Sequence, residues 1–249
     1  MHKKIITRKE FQGILDESAT QMADDKELQR SAKDLLTRAD KYNWIHQTTW
    51  MGEPILNMPQ DMFAIQEIIY QTKPDFIIEV GTAWGGGLLF YSSLLEIIGG
   101  KKVIGIDIFI PDDLKERIAK HQKLANRIEW ILGSSIDEDT IKKVKDIIGN
   151  SKRTLVILDS YHSHAHVLKE LFLFQEFVGK GQYLICGDTI VEYIPEQKHR
   201  KRDWGHGNNP KTALDEFLIT NKRFIADKNI DNKLLLTCNP SGYLRAIED

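Results

Sequence analysis

The chain has 249 residues, of which 41% are hydrophobic and 28% charged, and its formal net charge at pH 7 is −2. This length permits a sizeable core in one α/β domain with an appendage, and the balanced charge gives no global attraction to nucleic acid or anionic membranes. No apolar run reaches the ~18 residues of a membrane span. The N-terminal Met-His-Lys-Lys-Ile-Ile is followed by charged residues instead of a signal-peptide core. We therefore expect a cytoplasmic protein with no membrane span and no nucleic-acid partner.

The two cysteines, Cys186 and Cys238, both lie in apolar stretches that we interpret as buried strands. Two cysteines in a chain of this length do not suggest a disulfide framework. We expect both to be small, reduced core residues.

Residues 8–40 favour helix, with apolar side chains at steps of three and four that form a patchy stripe. We interpret residues 1–43 as an N-terminal helical extension and residues 44–249 as the main domain. The stripe either covers one side of that domain or forms a homo-oligomer contact, and both alternatives stay open. The connector over residues 44–54 carries Trp44 and Trp50, which either line the rim of a pocket or pack the connector onto the domain.

Apolar strands alternate with helical patterns from residue 61 onwards. A helix over 61–71 ends before Pro74, and near-continuous apolar runs then follow at residues 75–80, 103–107, 128–132, 154–159 and 182–188. Such runs separated by helices predict a Rossmann-like, doubly wound and mostly parallel seven-stranded sheet. Residues 223–226 and 233–237 are interpreted as a C-terminal antiparallel hairpin.

The first of these strands ends in Glu79 and is followed by a glycine-rich turn and an apolar helix. Glycine admits positive φ and lets a ligand approach the backbone, while the helix start directs free N–H groups at it. The spacing of Glu79, Gly81 and Gly85 differs from the dinucleotide pattern and resembles the first motif of S-adenosylmethionine-dependent methyltransferases. Thr82 belongs to the same turn.

Ligands of doubly wound sheets bind beyond the carboxyl ends of the strands, where this chain repeatedly places acids. Asp107 is positioned to accept hydrogen bonds from two ribose hydroxyls, although it could also be a solvated acid. Ser134 and Ser135 follow the next strand and suit the edge of an adenine ring. Ser135 could equally cap a helix with Glu138 at its third position, and both roles can hold.

Asp159 and Asp188 end two strands that we expect to lie beside the first one. Two converging carboxylates repel each other, and a divalent ion such as Mg²⁺ removes that repulsion. In methyl transfer such an ion would bind the acceptor hydroxyl and lower its pKa. The alternative is one general base and one unrelated acid.

After Asp159 come three histidines at alternating positions, His162, His164 and His166. Alternate residues share one side only in an extended chain, and because this segment enters a helix, we expect their side chains to diverge. We favour His162, nearest the strand end, as general base or auxiliary metal ligand. His164 is a second catalytic candidate, and His166 is interpreted as a packed helix residue.

The basic loop over residues 196–210 contains Trp204 and follows the strand that ends at Asp188. It is either a mobile lid that attracts an acidic or phosphorylated acceptor, or an ordinary solvated run of charges.

Several stretches together resemble the cephalosporin hydroxylase-like family, which includes the cephamycin-pathway methoxylation protein and rhamnosyl O-methyltransferases. They are residues 50–54, 74–82, 133–135, 158–162, 166–171, 188–189 and 239–244. The resemblance covers roughly residues 42–246 and implies a class I methyltransferase fold, S-adenosylmethionine, and often Mg²⁺ at the positions of Asp159, Gly187 and Asp188. The family usually has glutamate at the position of Gly187 and serine at that of Gly87.

We therefore predict an S-adenosylmethionine-dependent O-methyltransferase that acts on a hydroxyl of a small-molecule or glycan acceptor and is assisted by a divalent metal ion. The alternatives are an NAD-dependent oxidoreductase and a non-catalytic subunit that binds S-adenosylmethionine. The predicted catalytic residues are Asp159, His162 and His164, and the predicted metal ligands are Asp159 and Asp188. The predicted cofactor site comprises Glu79, Gly81, Thr82, Gly85, Asp107, Ser134, Ser135 and Asp159.

Overall fold

A computed structural model describes residues 6–249. Residues 1–5 lie outside the described residues. They are part of the predicted N-terminal extension and of the N-terminal segment in which we found no signal-peptide core. The helices are α1 (Arg8–Asp24), α2 (Lys26–Asp40), α3 (Pro59–Thr72), α4 (Gly86–Ile98), α5 (Asp112–Ala119), α6 (Gln122–Ala125), α7 (Glu138–Ile148), α8 (His164–Phe174), α9 (Pro210–Thr220) and α10 (Lys228–Lys233). The strands are β1 (Thr48–Trp50), β2 (Glu53–Ile55), β3 (Phe76–Val80), β4 (Lys102–Asp107), β5 (Ile128–Leu132), β6 (Thr154–Leu158), β7 (Tyr183–Cys186), β8 (Phe224–Ala226) and β9 (Tyr243–Ala246).

The main sheet has seven strands in the order β5-β4-β3-β6-β7-β9-β8. The pairs from β5 to β7 are parallel, and β9 is antiparallel to both β7 and β8. The chain moves outwards from β3 to β5 and returns to the other side of β3 with β6. This reversal of strand order places a crevice at the carboxyl ends of β3 and β6, where doubly wound sheets bind their ligands. The predicted fold class is confirmed.

Apolar helices cover both faces of this sheet, which explains why its central strands read as continuous apolar runs. Every residue of β3, β6 and β7 is buried. On one face Ile65 of α3 and Leu88 of α4 pack against the strands. On the other face Leu171 of α8 and Phe217 of α9 do the same. The two layers hold the strand ends at fixed positions.

The predicted C-terminal hairpin exists, but its second strand was assigned to the wrong residues. β8 pairs with β9 at residues 243–246, and not with residues 233–237. Residues 228–233 form α10 instead, because the side chain of Asp227 accepts a hydrogen bond from the N–H of Asn229 and caps the helix. Cys238 is buried outside any strand, whereas Cys186 lies in β7 as predicted, and the two are not bonded to each other.

A fully buried carboxylate ties α3 to the segment before β9. Asp61 accepts hydrogen bonds from the hydroxyls of Thr237 and Tyr243 and from the N–H of Cys238. Burial raises the pKa of Asp61 to about 6, although its three donors oppose that shift. The segment 233–237 therefore runs towards Asp61 and does not join the sheet.

The N-terminal helices pack on the domain to different extents. α1 lies against α2 and α10 but buries none of its residues. α2 buries Leu36 against Met58, Ile190 and Ile194, and it also buries Asp40 at its C-terminal end. Within residues 6–249, none of the helices combines the length and apolar character needed to cross a lipid bilayer.

Candidate active site

A cavity of about 640 Å³ lies beyond the carboxyl ends of β3, β4, β6 and β7. Its volume is within the range of small-molecule sites. Predicted site residues that line it are Glu79, Gly81, Thr82, Asp107, Ser134, Ser135, Asp159, His162 and Asp188. The strand ends thus bring most of the predicted residues together.

The turn after β3 depends on glycine at position 81. Gly81 has φ of 89°, and a Cβ there would lie 2.1 Å from the backbone oxygen of Asp159. A side chain is therefore excluded both by conformation and by contact. Gly85 also has positive φ and caps α4, but a Cβ there would meet Leu114 and Ile118 of α5. Gly85 shapes the turn and is not among the residues that line the cavity, so its predicted cofactor contact stays a prediction.

Glu79 presents a buried carboxylate to the cavity. Its side chain packs so closely on Gly87 that a Cβ at that position would lie 2.2 Å from Glu79 Oε1. Glu79 Oε2 finds no hydrogen-bond partner in the described part of the chain. Burial, followed by the negative charges of Asp159 and Asp107, raises the pKa of Glu79 well above its usual range. A ligand with a positive charge or an N–H donor would satisfy this group.

Asp107 connects the end of β4 to the glycine turn. Its Oδ2 accepts a hydrogen bond from the N–H of Thr82 at 2.8 Å, and its Oδ1 accepts one from the N–H of Phe109 at 3.1 Å. The carboxylate therefore fixes the turn as well as lining the cavity. Lone pairs that these bonds leave free can accept hydrogen bonds from a ligand.

Ser134 and Ser135 line the cavity after β5, but the predicted capping role of Ser135 is wrong. α7 begins after Asp137, and the Ser135 hydroxyl donates to Glu170 Oε1 at 2.5 Å. Ser160 Oγ donates to the same oxygen at 2.6 Å, and His166 Nε2 lies 3.1 Å from it. A buried acid thus holds the loops after β5 and β6 together.

The sequence interpretation missed one cavity-lining residue of this cluster, His166, and the buried acid behind it, Glu170. His166 packs on α8 against Glu170 and Tyr161 as expected, but it also lines the cavity, which the sequence interpretation did not foresee. Glu170 has no solvent exposure, and its Oε2 has no hydrogen-bond partner among residues 6–249. The sequence does contain a signal for Glu170, because this acid lies at helical spacing from the apolar residues Val167, Leu171 and Phe174 and therefore falls on the buried face of α8.

Asp159, His162 and Asp188 converge at the ends of β6 and β7. His162 Nε2 lies 4.0 Å from Asp159 Oδ1, and His162 Nδ1 lies 3.7 Å from Asp188 Oδ2. One ligand atom from each residue fits within 4.8 Å of the others, which is the spacing of a metal site. Burial, and then the carboxylates of Asp188, Asp61 and Glu170, raise the pKa of Asp159 well above its usual range. A cation at this position would relieve that repulsion.

The backbone at Gly187 and Asp188 positions the Asp188 carboxylate next to that of Asp159. Asp188 has φ of 53°, and its N–H donates to Asn239 Oδ1 at 3.0 Å. A Cβ at Gly187 would lie 2.8 Å from both Asp159 Oδ1 and the backbone oxygen of Leu158. The Asp159 carboxylate therefore occupies the space that a side chain at position 187 would need.

The structure places His164 outside the cavity. Its Nδ1 lies 2.8 Å from Thr212 Oγ1 and its Nε2 lies 3.1 Å from Glu216 Oε2. These contacts join α8 to α9. We therefore remove His164 from the catalytic candidates.

The loop over residues 192–209 covers the end of the cavity that contains His162, and it contributes Arg200, Arg202 and Trp204 to the lining. Asp40 of α2 holds this loop, with one oxygen 2.7 Å from His199 Nε2 and the other accepting from Arg200 Nη2 at 2.6 Å. Sequence reasoning missed this contact because its members are 160 residues apart.

The connector contributes His46 and Pro54 to the lining, whereas its tryptophans do not line the cavity. Trp50 packs edge-on against Phe90, with ring centroids 5.0 Å apart. For Trp50, the packing alternative is correct.

The sheet topology, the glycine turn and the acids at the strand ends define a class I S-adenosylmethionine-dependent methyltransferase. Residues 42–247 match the family model described as Rhamnosyl O-methyltransferase/CmcI. The chain belongs to this family and is an O-methyltransferase, and the oxidoreductase alternative is not favoured.

Relatives of known name and solved structure agree with this assignment. A rhamnosyl O-methyltransferase of Mycobacterium bovis is 27% identical over 204 residues, which cover 80% of this chain and 78% of the relative. The rhamnosyl O-methyltransferase of Mycobacterium leprae is 32% identical over 149 residues, which cover 59% of this chain and 63% of the relative. A CmcI structure with Mg and SAM has a TM-score of 0.53 and 20% identity, and covers 81% of this chain and 77% of its own. That likeness establishes the fold.

Proposed function

We propose that this enzyme transfers a methyl group from S-adenosylmethionine to a hydroxyl of a glycan acceptor, with Mg²⁺ or a similar divalent ion bound by Asp159 and Asp188. The observation that carries the proposal is one cavity in which the Asp159, His162 and Asp188 group borders the glycine turn. The curated relatives are named rhamnosyl O-methyltransferases, which supports a sugar hydroxyl as the methyl acceptor.

The donor half of the cavity suits a cationic adenosyl ligand. When bound, S-adenosylmethionine supplies an electrophilic methyl group on a positively charged sulfonium. Glu79 supplies a buried carboxyl group whose Oε2 has no partner among residues 6–249, and a cationic ligand would favour its ionised form. Glycine at positions 81 and 87 lets the turn pack directly against the backbone of Asp159 and the side chain of Glu79. We assign ribose binding to Asp107, which retains acceptor capacity, and the edge of the adenine to Ser134.

The acceptor half suits activation of a hydroxyl. Carboxylate oxygens are preferred by Mg²⁺ and Mn²⁺, and Asp159 and Asp188 supply them. When bound, a divalent cation would lower the pKa of the acceptor hydroxyl. His162 would accept the hydroxyl proton at Nε2, which lies 4.0 Å from Asp159 Oδ1, while Nδ1 stays 3.7 Å from Asp188 Oδ2.

A methyl-transfer assay with a panel of sugar acceptors tests the proposal, together with calorimetry using S-adenosylhomocysteine. We expect micromolar binding of S-adenosylhomocysteine, turnover that is lost in EDTA, and no metal-dependent turnover by Asp159→Asn. Absence of binding at high micromolar concentration would refute the donor site. Full activity in EDTA would remove the ion from the mechanism. Binding without methylation of any acceptor would instead support a non-catalytic subunit.

We also propose a cytoplasmic location, since both buried cysteines are thiols and not a disulfide. Cell fractionation with an antibody against the chain tests this. Recovery from an oxidising compartment would contradict it.

We further propose that residues 1–43 are an extension of a catalytic domain over residues 44–249, and that α1 forms a contact between copies of the chain. Phe11, Ile14 and Leu15 support this, because they are 51%, 51% and 45% exposed on one helix. Light scattering after chromatography is expected to show a homo-oligomer that Phe11→Ser with Ile14→Ser disrupts. A monomeric wild type would refute the contact.

A further inference from the structure

The acceptor end of the cavity contains an arginine that has no carboxylate partner among residues 6–249. His46, Arg200 and Arg202 all line it. Arg200 pairs with Asp40, and that carboxylate is shared with His199. Within residues 6–249, no carboxylate lies at ion-pair distance from Arg202. Arg202 is therefore a half-buried guanidinium that faces a cavity without a counterion.

The surroundings of Arg202 make its positive charge unfavourable in the protein without a bound anion. Burial, and then the neighbouring Arg200, lower the pKa of Arg202. Burial and the same arginine lower the pKa of His46. Asp188 and Asp40 act in the opposite direction on both groups, but Asp188 belongs to the metal-ligand group and Asp40 already bonds Arg200. Removing an unpaired charge from water is costly, so an anion bound here would be favoured.

Trp204 supplies a second, independent observation. Its indole Nε1–H is buried and has no acceptor in the part of the chain that the structure describes. The Arg202 guanidinium lies over its ring, with Cζ 5.7 Å from the centroid. The same indole lies next to His162, at a centroid distance of 5.4 Å. A free donor and a free cation thus meet on one aromatic ring beside the proposed base.

We propose that the acceptor carries an anionic group, a carboxylate or a phosphate, on or next to the sugar that is methylated, and that Arg202 and Trp204 bind this group with His46 nearby. This inference rests on the proposed methyl transfer to a glycan and specifies the acceptor class. A carboxylate or phosphate oxygen satisfies both Arg202 and the indole N–H, whereas a neutral sugar leaves the guanidinium uncompensated. Because Trp204 also lies next to His162, the anion would bind near the proposed base.

Steady-state kinetics on matched acceptors tests the proposal. Neutral glycosides, uronic acid glycosides and sugar phosphates with the same free hydroxyl are compared, and the last two distinguish a carboxylate from a phosphate. We expect kcat/KM for one anionic class to exceed that for the neutral acceptor at least tenfold. Arg202→Gln is expected to raise KM for the anionic acceptor about tenfold with little change for the neutral one, and Arg202→Lys to retain part of the preference.

Lys201→Gln is the matched control, because Lys201 is an exposed neighbour in the same loop that does not line the cavity. It removes the same charge and is expected to leave the preference unchanged. Equal kcat/KM on neutral and anionic acceptors would overturn the proposal. So would an Arg202→Gln variant that loses both activities equally.

A binding measurement keeps the inference separate from turnover. Glucuronate and inorganic phosphate are titrated by calorimetry into protein saturated with S-adenosylhomocysteine. Binding of either anion to the wild type and to Lys201→Gln, but at least tenfold weaker binding to Arg202→Gln, supports the site. No binding, or equal binding to all three proteins, contradicts it. Failure of S-adenosylhomocysteine itself to bind would instead count against the proposed methyl transfer.

Discussion

The two halves of the cavity are constructed differently. The donor half comes from consecutive strand ends between Glu79 and Ser135, and a backbone-to-carboxylate bond from Thr82 to Asp107 fixes its turn. The acceptor half is assembled from distant segments, including Asp40 in α2 and Arg200 in the loop before α9. One half therefore depends on local backbone geometry and the other on long-range side-chain contacts. Acceptor choice can change without rebuilding the donor site.

The largest expected effect belongs to the acceptor half. Asp188→Asn removes one of two carboxylates that converge on His162 but keeps the shape of the side chain. We expect kcat to fall by about 10²–10⁴-fold, the usual range when proton transfer or hydroxyl activation is lost. Affinity for S-adenosylhomocysteine is expected to stay within about threefold in calorimetry, since Asp188 lies outside the donor half. Parallel loss of affinity and turnover would show that the halves are not separable.

The next effect belongs to the donor half. Gly81→Ala places a Cβ against the backbone oxygen of Asp159 at a residue with positive φ. We expect at least tenfold weaker binding of S-adenosylhomocysteine, measured by calorimetry, and a lower Tm. Gly52→Ala is the matched control, because Gly52 has φ of 92° and nothing within 4 Å of its Cβ position. It carries the same cost of positive φ, roughly 1–2 kcal/mol, without the contact. Equal affinities of the two variants would refute the steric role of Gly81.

A smaller effect tests how the loop is held over the acceptor. Asp40→Ala removes the buried partner of His199 and Arg200. We expect KM for the acceptor to rise about tenfold while the affinity for S-adenosylhomocysteine is unchanged. Breaking a buried ion pair also costs about 3 kcal/mol of stability, which urea unfolding measures. An unchanged KM would mean that the loop keeps its position without α2.

The smallest effect lies outside both halves and serves as a reference. Asp231 accepts a hydrogen bond from the N–H of Ser241, and burial raises its pKa from 3.8 to about 6. An acid with a raised pKa binds its proton more tightly in the folded state, so its contribution to stability is lost as the pH rises from about 4 to about 6. Asp231→Asn removes this dependence. The free energy of unfolding of the Asp231→Asn variant minus that of the wild type is therefore expected to increase by about 1 kcal/mol as the pH rises from about 4 to about 6, after allowance for solvent screening.

Urea unfolding at several pH values measures this difference, with donor and acceptor affinities as controls that are expected not to change. A difference that stays constant with pH would contradict the raised pKa of Asp231.

The sequence was sufficient where local pattern decides the structure. Apolar runs located the parallel strands, and the carboxyl ends of those strands located Glu79, Asp107, Asp159 and Asp188. It was insufficient at the last strand. Residues 233–237 look like a strand, but the buried carboxylate of Asp61 binds Thr237 and Cys238 from 176 and 177 residues away and draws the segment out of the sheet.

The histidines show the same limit within the site. Their alternation could not decide which one reaches the cavity, because the answer depends on where α8 begins. With the helix starting at His164, that side chain faces α9, and His166 falls one turn before Glu170 and joins the cavity. Similarly, a cap was one of two roles considered for Ser135 because Glu138 is three residues away, whereas the Ser135 hydroxyl donates to Glu170, 35 residues further on.

A crystal structure with S-adenosylhomocysteine and a divalent ion tests the division of the cavity most directly. The account predicts the adenosine beside Gly81 and Asp107, with the sulfur directed towards Asp159 and His162 and the ion between Asp159 and Asp188. Adenosine bound against Arg202 and Trp204, or anywhere else outside the donor half, would contradict it.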